Sequence, residues 1–197
     1  MKTQKTFISK IEETLIEIGI KIAKRGEGAL FVIGNTKYDE LVEQKVPPFN
    51  ILSNPKLLES LALMDGAVII DKSGFMRAYG VKVKSNKTLK NFGTRHSAGL
   101  SASVNGNISI VVSEEDKKIR IMKNGKLVMQ IDALQKGVEK TIPKAVQILE
   151  SVGVGAVGVL GTSLIVPSLG LALLPGIVLF GSAYYITKYL AKFIGKK

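Results

Sequence analysis

The sequence predicts a mixed α/β (α+β) body, with a central sheet of parallel and antiparallel strands flanked by helices, followed by a C-terminal apolar helical hairpin. Three observations point there. Short β-branched runs alternate with helix-period segments up to residue 131, a pattern that requires helices packed on a sheet. Asn124-Gly125 joins two such runs and signals a tight antiparallel turn. From Ser151 to Thr187 the chain carries no charge, a run of 37 residues, and it then ends on Lys188, Lys192, Lys196 and Lys197.

The elements follow in order. Residues 1–24 read as an amphipathic helix, with apolar side chains at Phe7, Ile8, Ile11, Leu15, Ile16, Ile18, Ile20, Ile22 and Ala23, ending near Gly26. ALFVIG (29–34) is a short apolar run bounded by turn residues and reads as a buried strand. YDELVEQKV (38–46) is expected as a short helix stopped by Pro47-Pro48. Asn54 as N-cap and Pro55 at the first helical position open a helix through PKLLESLALM. AVIID (67–71) and FMRAYGVKVK (75–84), joined by a Lys-Ser-Gly turn, are expected as a strand and its returning partner. Thr94 is expected to open a short helix over 94–103. ISIVVS (108–113), KIRIMK (118–123) and KLVMQI (126–131) complete the strands. The chain then divides into a helix at 1–24, a body at 25–131, a connecting helix at 132–150 kinked at Pro143, and a membrane-associated segment at 151–197.

Composition narrows the function. The formal charge of +12, from 28 basic and 16 acidic residues, implies an anionic partner such as a nucleotide or lipid head groups. With no Cys, disulfides, thiolate zinc sites and thiol nucleophiles are excluded. Trp is absent and aromatics are sparse, which argues against nucleic acid as the partner. No secretory signal pattern opens the chain.

The uncharged run exceeds the roughly 20 residues that one bilayer crossing needs. Pro167 and Pro175 divide it. It reads either as one helix from about Leu164 to Thr187 or as a hairpin turning near PSLG (167–170). The Lys-rich end prefers the cytoplasmic side, as does a body that uses a cytosolic substrate, and a hairpin keeps both there. A hairpin buried inside a soluble protein is the alternative.

Three stretches carry chemistry. Asp65-Gly66 in MDGAVIID sits where a helix hands over to a strand, a place where side chains reach a cleft; by itself Asp-Gly is also a common turn. GTRHSAG (93–99) holds the single histidine of the chain. Gly93 permits close backbone approach, Thr94 offers a hydroxyl at a helix start, and helix N-terminal amides bind anions. Arg95 and His96 add donors suited to phosphate, although a lone histidine more often simply packs. In VVSEEDKKIRIMKNGKL (111–127), Ser113 and Glu114 close a strand, and a carboxylate there suits Mg²⁺ or Mn²⁺; the plainer reading is a solvated turn.

Taken together, Asp65-Gly66-Ala67, Gly93-Thr94-Arg95-His96-Ser97 and Val111-Val112-Ser113-Glu114 resemble the diadenylate cyclase (DAC) domain family, whose signatures are Asp-Gly-Ala, Gly-Thr-Arg-His-Arg and Val-Val-Ser-Glu. GALFVIGN (28–35) and IIDKSGFMRAYGV (69–81) extend the resemblance over about residues 25–130.

The resemblance implies condensation of two ATP molecules into cyclic di-AMP, with release of two pyrophosphates, by two subunits whose sites face each other in a homodimer or larger homo-oligomer. It implies Asp65 as activator of the 3′-hydroxyl, directly or through a divalent metal, and Gly66 as room for the sugar beside Ala67. It places Gly93, Thr94, Arg95, His96, Ser97 and Ser113 around the triphosphate, with His96 a phosphate donor and not a general base. Asp65 and Glu114 are the implied ligands of Mg²⁺ or Mn²⁺. Two departures stand out: Ser97 replaces the family's second arginine, and YGVKVKSN lacks the proline that often follows the strand lining the adenine site. The whole reads as a cyclase held by lipid contacts at the cell membrane, with its catalytic body on the cytoplasmic side. The alternatives are a catalytically silent DAC-like domain that binds ATP or cyclic di-AMP and signals at the membrane, and a basic structural protein of the membrane surface.

Overall fold

The computed structural model describes residues 2–43, 45–84, 93–152 and 175–179. Its centre is an eight-stranded sheet in the order β2-β4-β3-β1-β5-β6-β7-β8. These strands are β1 (Ala29–Ile33), β2 (Tyr38–Glu40), β3 (Ala67–Ile70), β4 (Met76–Val83), β5 (Ile108–Val112), β6 (Lys118–Lys123), β7 (Lys126–Asp132) and β8 (Ile177–Leu179). β1 and β3 pair in parallel; the other described pairs are antiparallel. The expected mixed sheet is therefore present.

Both faces are covered, which is why β1 and β3 are apolar at every position and buried throughout. One face carries α1 (Lys2–Lys24), α2 (Pro55–Ala62) and α4 (Ile142–Val152). Ile11, Leu15, Ile18 and Ile22 recur at helical spacing along α1 and are fully buried there with Phe31, Ile110 and Ile121 of the sheet. Burying each such isoleucine is worth about 1.5–3 kcal/mol relative to leaving it in water. The other face carries α3 (Thr94–Ala102), packed over Leu30, Val32, Val111 and Met122. At the Asn124-Gly125 turn both residues have positive φ, 51° and 68°, the primed geometry that lets β6 and β7 keep their twist.

Four expectations change. Residues 38–40 form an edge strand rather than the start of a helix. The long β4 offers a row of backbone groups, and Tyr38 pairs with Val83, Glu40 with Val81, while Leu41 N–H donates to the Gly80 carbonyl at 3.1 Å. Exposed Asp39 and Glu40 keep that edge from pairing further. Asn54 holds the N-cap position of α2, but its amide donates to the Asn50 carbonyl at 3.4 Å and makes no side-chain cap. Pro143 does not kink a helix. The segment after β7 is a turn and a 3₁₀ turn (Val138–Thr141), and Pro143 is the second residue of α4, where a missing N–H costs nothing. Val138, Ile142, Ala145 and Val146 pack into the core beside α1, so this segment is part of the packed layer.

The fourth change concerns the apolar helical hairpin. Most of 151–187 lies outside the described residues. The described part is a Pro175-Gly176 turn and the strand Ile177–Leu179, annealed to β7 through Ile131–Ile177 and Met129–Leu179. An apolar Ile-Val-Leu triplet beside the open edge of β7 gains ladder hydrogen bonds there, so a continuous helix over 169–187 is not what these residues form. Among the described residues, no helix is long and apolar enough to cross a membrane.

Candidate functional site

β1 and β3 run in one direction and β5 in the other, so one end of the sheet gathers Gly28 before β1, Asp65-Gly66 before β3, and Ser113-Glu114 after β5. α3 is pinned by its far half. Ser109 Oγ donates to the Gly99 carbonyl at 2.7 Å, Asn107 Nδ2 donates to the Ala102 carbonyl at 3.1 Å, and Gly125 N–H donates to Ser103 Oγ at 3.1 Å. These bonds aim the N-terminus of α3, and its positive dipole end, at the same end of the sheet.

Gly93 is the N-cap of α3, in extended backbone (φ −65°, ψ 172°), and its carbonyl accepts from His96 and Ser97 N–H. Thr94 is thus the first helical residue and not the cap, which leaves its exposed hydroxyl outside the helix ladder. A side chain at Gly93 would meet nothing within 4 Å among the described residues. Arg95 reaches across to Glu114, Nη1 donating to Oε2 at 3.1 Å. Its guanidinium lies directly over Gly28: a Cβ on residue 28 would collide with Nη1.

Asp65 is exposed, and its Oδ1 accepts from the Gly66 N–H at 2.9 Å. Gly66 has φ +102°, and a Cβ there would stand 2.7 Å from Val81 N and 2.8 Å from Val81 O. The fold therefore requires this glycine for its own backbone, a reason that precedes any room for a sugar. Ala67 is buried as the first residue of β3, paired with Val81. Beside this loop lies a cleft of about 340 Å³ between β4 and residues 40–48, walled by Val42, Val46, Pro47, Tyr79 and Val81.

Ser113 is buried, and its backbone N–H donates to the Lys118 carbonyl at 2.9 Å. Its Oγ accepts from Asp116 N–H at 3.4 Å, which closes the turn between β5 and β6. Ser97 is buried in the first turns of α3.

His96 is 8% exposed, and its Nε2 lies 3.0 Å from Arg120 Nη1. Arg120 in turn donates to Asp116 through Nη1 and Nη2, and through Nε to Gln130 Oε1 at 3.2 Å. Burial, then the Arg120 charge, hold the imidazole below its ordinary pKa, with Asp116 opposing. Burial works to raise the Asp116 carboxyl, but hydrogen bonds from Arg120 and with Ser113 hold it below the usual range. Arg120 and Asp116 are the site residues that motif reading missed. The one trace in the sequence is an arginine between Ile119 and Ile121; that α3 covers its side of the strand is visible only in the fold.

The expected metal ligands, Asp65 and Glu114, lie at the same end of the sheet. Asp65 and Glu114 sit at the ends of strands flanking β1, two strand spacings or about 10 Å apart. Glu114 is also paired with Arg95. No group of three or more ligating side chains occurs among the described residues. The donor chemistry fits a hard cation held by Asp65 together with phosphate oxygens, since Mg²⁺ commonly takes one carboxylate plus substrate phosphates.

Comparison with known proteins identifies the family of this chain. Residues 19–127, more than half of the chain, match the family model described as "DAC: DisA bacterial checkpoint controller nucleotide-binding". A diadenylate cyclase of Haloferax volcanii is 29% identical over 138 residues, covering 60% of this chain and 51% of that protein. One from Listeria monocytogenes is 36% identical over 114 residues, covering 54% and 42%. One from Methanocaldococcus jannaschii is 29% identical over 149 residues, covering 66% and 46%. The chain spans about half the length of the curated relatives it matches. With its matched region enclosing the Asp65 loop, the α3 N-terminus and the turn after β5, this chain belongs to the DAC nucleotide-binding family.

Proposed function

We propose that this chain is a diadenylate cyclase that condenses two ATP molecules into cyclic di-AMP, using two copies of the domain with their sites face to face. In each half-reaction the 3′-oxygen of one ATP bonds to the α-phosphorus of the other. The bond from that phosphorus to the bridging oxygen breaks, and pyrophosphate leaves. The observation that carries the reading is the exposed Asp65 carboxylate on the same sheet end as the Arg95–Glu114 pair and the α3 N-terminus.

Asp65 takes the 3′-hydroxyl proton or orients that hydroxyl toward the opposing subunit. Arg95, held over Gly28 by Glu114, turns its remaining donors to the triphosphate and stabilises the charge that builds on phosphorus. Thr94 and the first amides of α3 add further donors to phosphate. The cleft beside β4, where Val42, Tyr79 and Val81 stand among Glu40, Lys45 and Arg77, takes the adenine. A bound Mg²⁺ or Mn²⁺ would supply further charge neutralisation at the triphosphate, with Asp65 as its protein ligand.

Incubating the full chain with ATP and Mn²⁺ and searching for cyclic di-AMP by mass spectrometry tests this; product is expected, and its absence overturns it. One observation favours the silent alternative: Ser97 stands where the family motif has arginine. That reading expects ATP to raise the melting temperature while no product forms. The uncharged run and the lysines after it support lipid contact at the cytoplasmic face of the cell membrane. Flotation of the full chain with anionic vesicles checks it, and a chain that stays at the bottom of the gradient argues against it.

A further inference from the structure

We propose that Lys117 is a further triphosphate-binding residue, whose ammonium is held at the site end of the sheet by the turn between β5 and β6. The assignment deepens the cyclase reading and rests on it for the identity of the ligand.

The argument starts from the backbone. Among the described residues, three that are not glycine have positive φ: Asn105, Lys117 and Asn124, at 56°, 53° and 51°. Asparagine suits this conformation because its short amide bonds locally. Lysine has no such help, and glycine would occupy position 117 without the steric penalty. The turn nonetheless imposes the geometry. Ser113 N–H donates to the Lys118 carbonyl at 2.9 Å, Lys118 N–H to Asp116 Oδ1 at 3.2 Å, and Ala133 N–H to the Lys117 carbonyl at 3.1 Å. These bonds grip the strained peptide from both sides. Strain of this kind gathers at ligand-binding sites, where the side chain offsets it in function.

The side chain runs back over its own turn. Nζ donates to the Glu114 carbonyl, and a Cβ on Gly26 would stand 3.2 Å from it. Arg95 Nη1 holds the carboxylate of the same Glu114 from its seat over Gly28. Two cations therefore flank one residue, beside positions 26 and 28, whose Cα atoms lie at most about 7 Å apart. Arg95 is paired with Glu114, and neighbouring Lys118 and Arg120 share Asp116. Of these four cations, Lys117 alone is held by a carbonyl and by no carboxylate among the described residues. Such an ammonium turns to phosphate without breaking an ion pair, and its hydrogen bond to an anion is of the strong, charge-assisted kind. The same turn carries Glu114, Glu115 and Asp116, whose charge repels a triphosphate unless a cation offsets it. Ser97, standing where the family motif has arginine, makes that cation matter more.

The test is calorimetric titration of the full chain, with Mg²⁺, by an ATP analogue whose α–β bridge is methylene. The analogue keeps the triphosphate charge and cannot release pyrophosphate. Lys117→Gly is expected to weaken its binding on the order of 10-fold. The melting temperature should stay at or above wild type, because glycine fits the positive φ. The salt dependence of binding should become shallower. Lys117→Arg should restore most of the affinity. Lys126→Ala, the same loss of charge at the opposite end of the sheet, should leave binding unchanged.

A Lys117→Gly chain with a lower melting temperature and unchanged affinity makes the lysine a turn-closing residue and overturns the proposal. Equal weakening by Lys126→Ala also overturns it, since net charge alone would then account for the effect. Should the glycine variant fail to fold, Lys117→Asn tolerates the same backbone without the charge and should show the same weakening; unchanged affinity there overturns the proposal. Weaker binding by Lys117→Gly in a chain that makes no cyclic di-AMP counts against the cyclase reading alone. Unchanged binding in a chain that makes it counts against this proposal alone, and a wild-type chain that does not bind the analogue overturns both.

Discussion

The two faces of the sheet are built differently. The face under α1, α2 and α4 is continuous hydrocarbon: Ile11, Leu15, Ile16, Phe31, Ile110, Ile121 and Val146 are all fully buried there. Among the described residues its polar intrusions include Ser9, which donates to Glu150, and the pair of Glu12 and Lys123, with Nζ 2.8 and 2.9 Å from the two carboxylate oxygens. The face under α3 has a much smaller apolar cluster, interleaved with buried His96, Ser97, Ser109 and Arg120. Stability is thus concentrated on one side of the sheet and polar chemistry on the other. A single short helix can carry functional side chains because three others hold the strands beneath it.

That contrast predicts opposite signatures for substitutions on the two sides. The largest effect on turnover is expected for Asp65→Asn, which should lower cyclic di-AMP formation by about 10²–10⁴-fold while the melting temperature stays put, since the side chain is exposed. A matching drop in thermal stability would mean that the loop belongs to the scaffold. On the hydrocarbon side the order reverses. Glu12→Gln strands a buried Lys123 ammonium and should cost about 3–5 kcal/mol of unfolding free energy in urea titration, with turnover per folded molecule intact. Replacing both partners by methionine should restore most of that stability. A double variant as unstable as the single one would show that the pair contributes more than shape.

The smallest effect is a slope. Asp116 is held below its ordinary pKa in the folded protein, so its contribution is complete above pH of about 4 and is lost as pH falls further toward the folded value. Asp116→Asn should flatten that acid limb of the stability curve, measured as unfolding free energy against pH, whatever it does to the plateau. An acid limb as steep as wild type would place the acid sensitivity elsewhere.

Strong local signals carried most of the fold. The apolar stripe of α1, the strands at 29–33, 67–70 and 108–112, and the Asn-Gly hairpin stand where their patterns put them. The failures share a cause: tertiary pairing outweighed local preference. Tyr38–Glu40 and Ile177–Leu179 became strands because β4 and β7 had open edges, and no window of sequence reports an open edge. By its sequence Pro143 reads as a kink in a connecting helix over 132–150, whereas it lies in the first turn of α4. In the site, motif residues flagged Asp65, Arg95, His96 and Glu114, and the sheet does bring their segments to one end. The backbone need for Gly66 was invisible, because it comes from Val81, fifteen positions along the chain. Arg120 escaped for a related reason: strand alternation alone leaves open whether its side is wet or covered, and α3 decides that.

Gly28 shows how little space the seat of the Arg95 guanidinium leaves. One added methyl would stand 2.3 Å from Arg95 Nη1 and push the guanidinium off this seat without altering the charge of the chain. Residue 28 is therefore a steric dial: alanine there would shift the Arg95 head while every side chain of the three motifs stays in the sequence, a lesion that motif inspection would pass as intact.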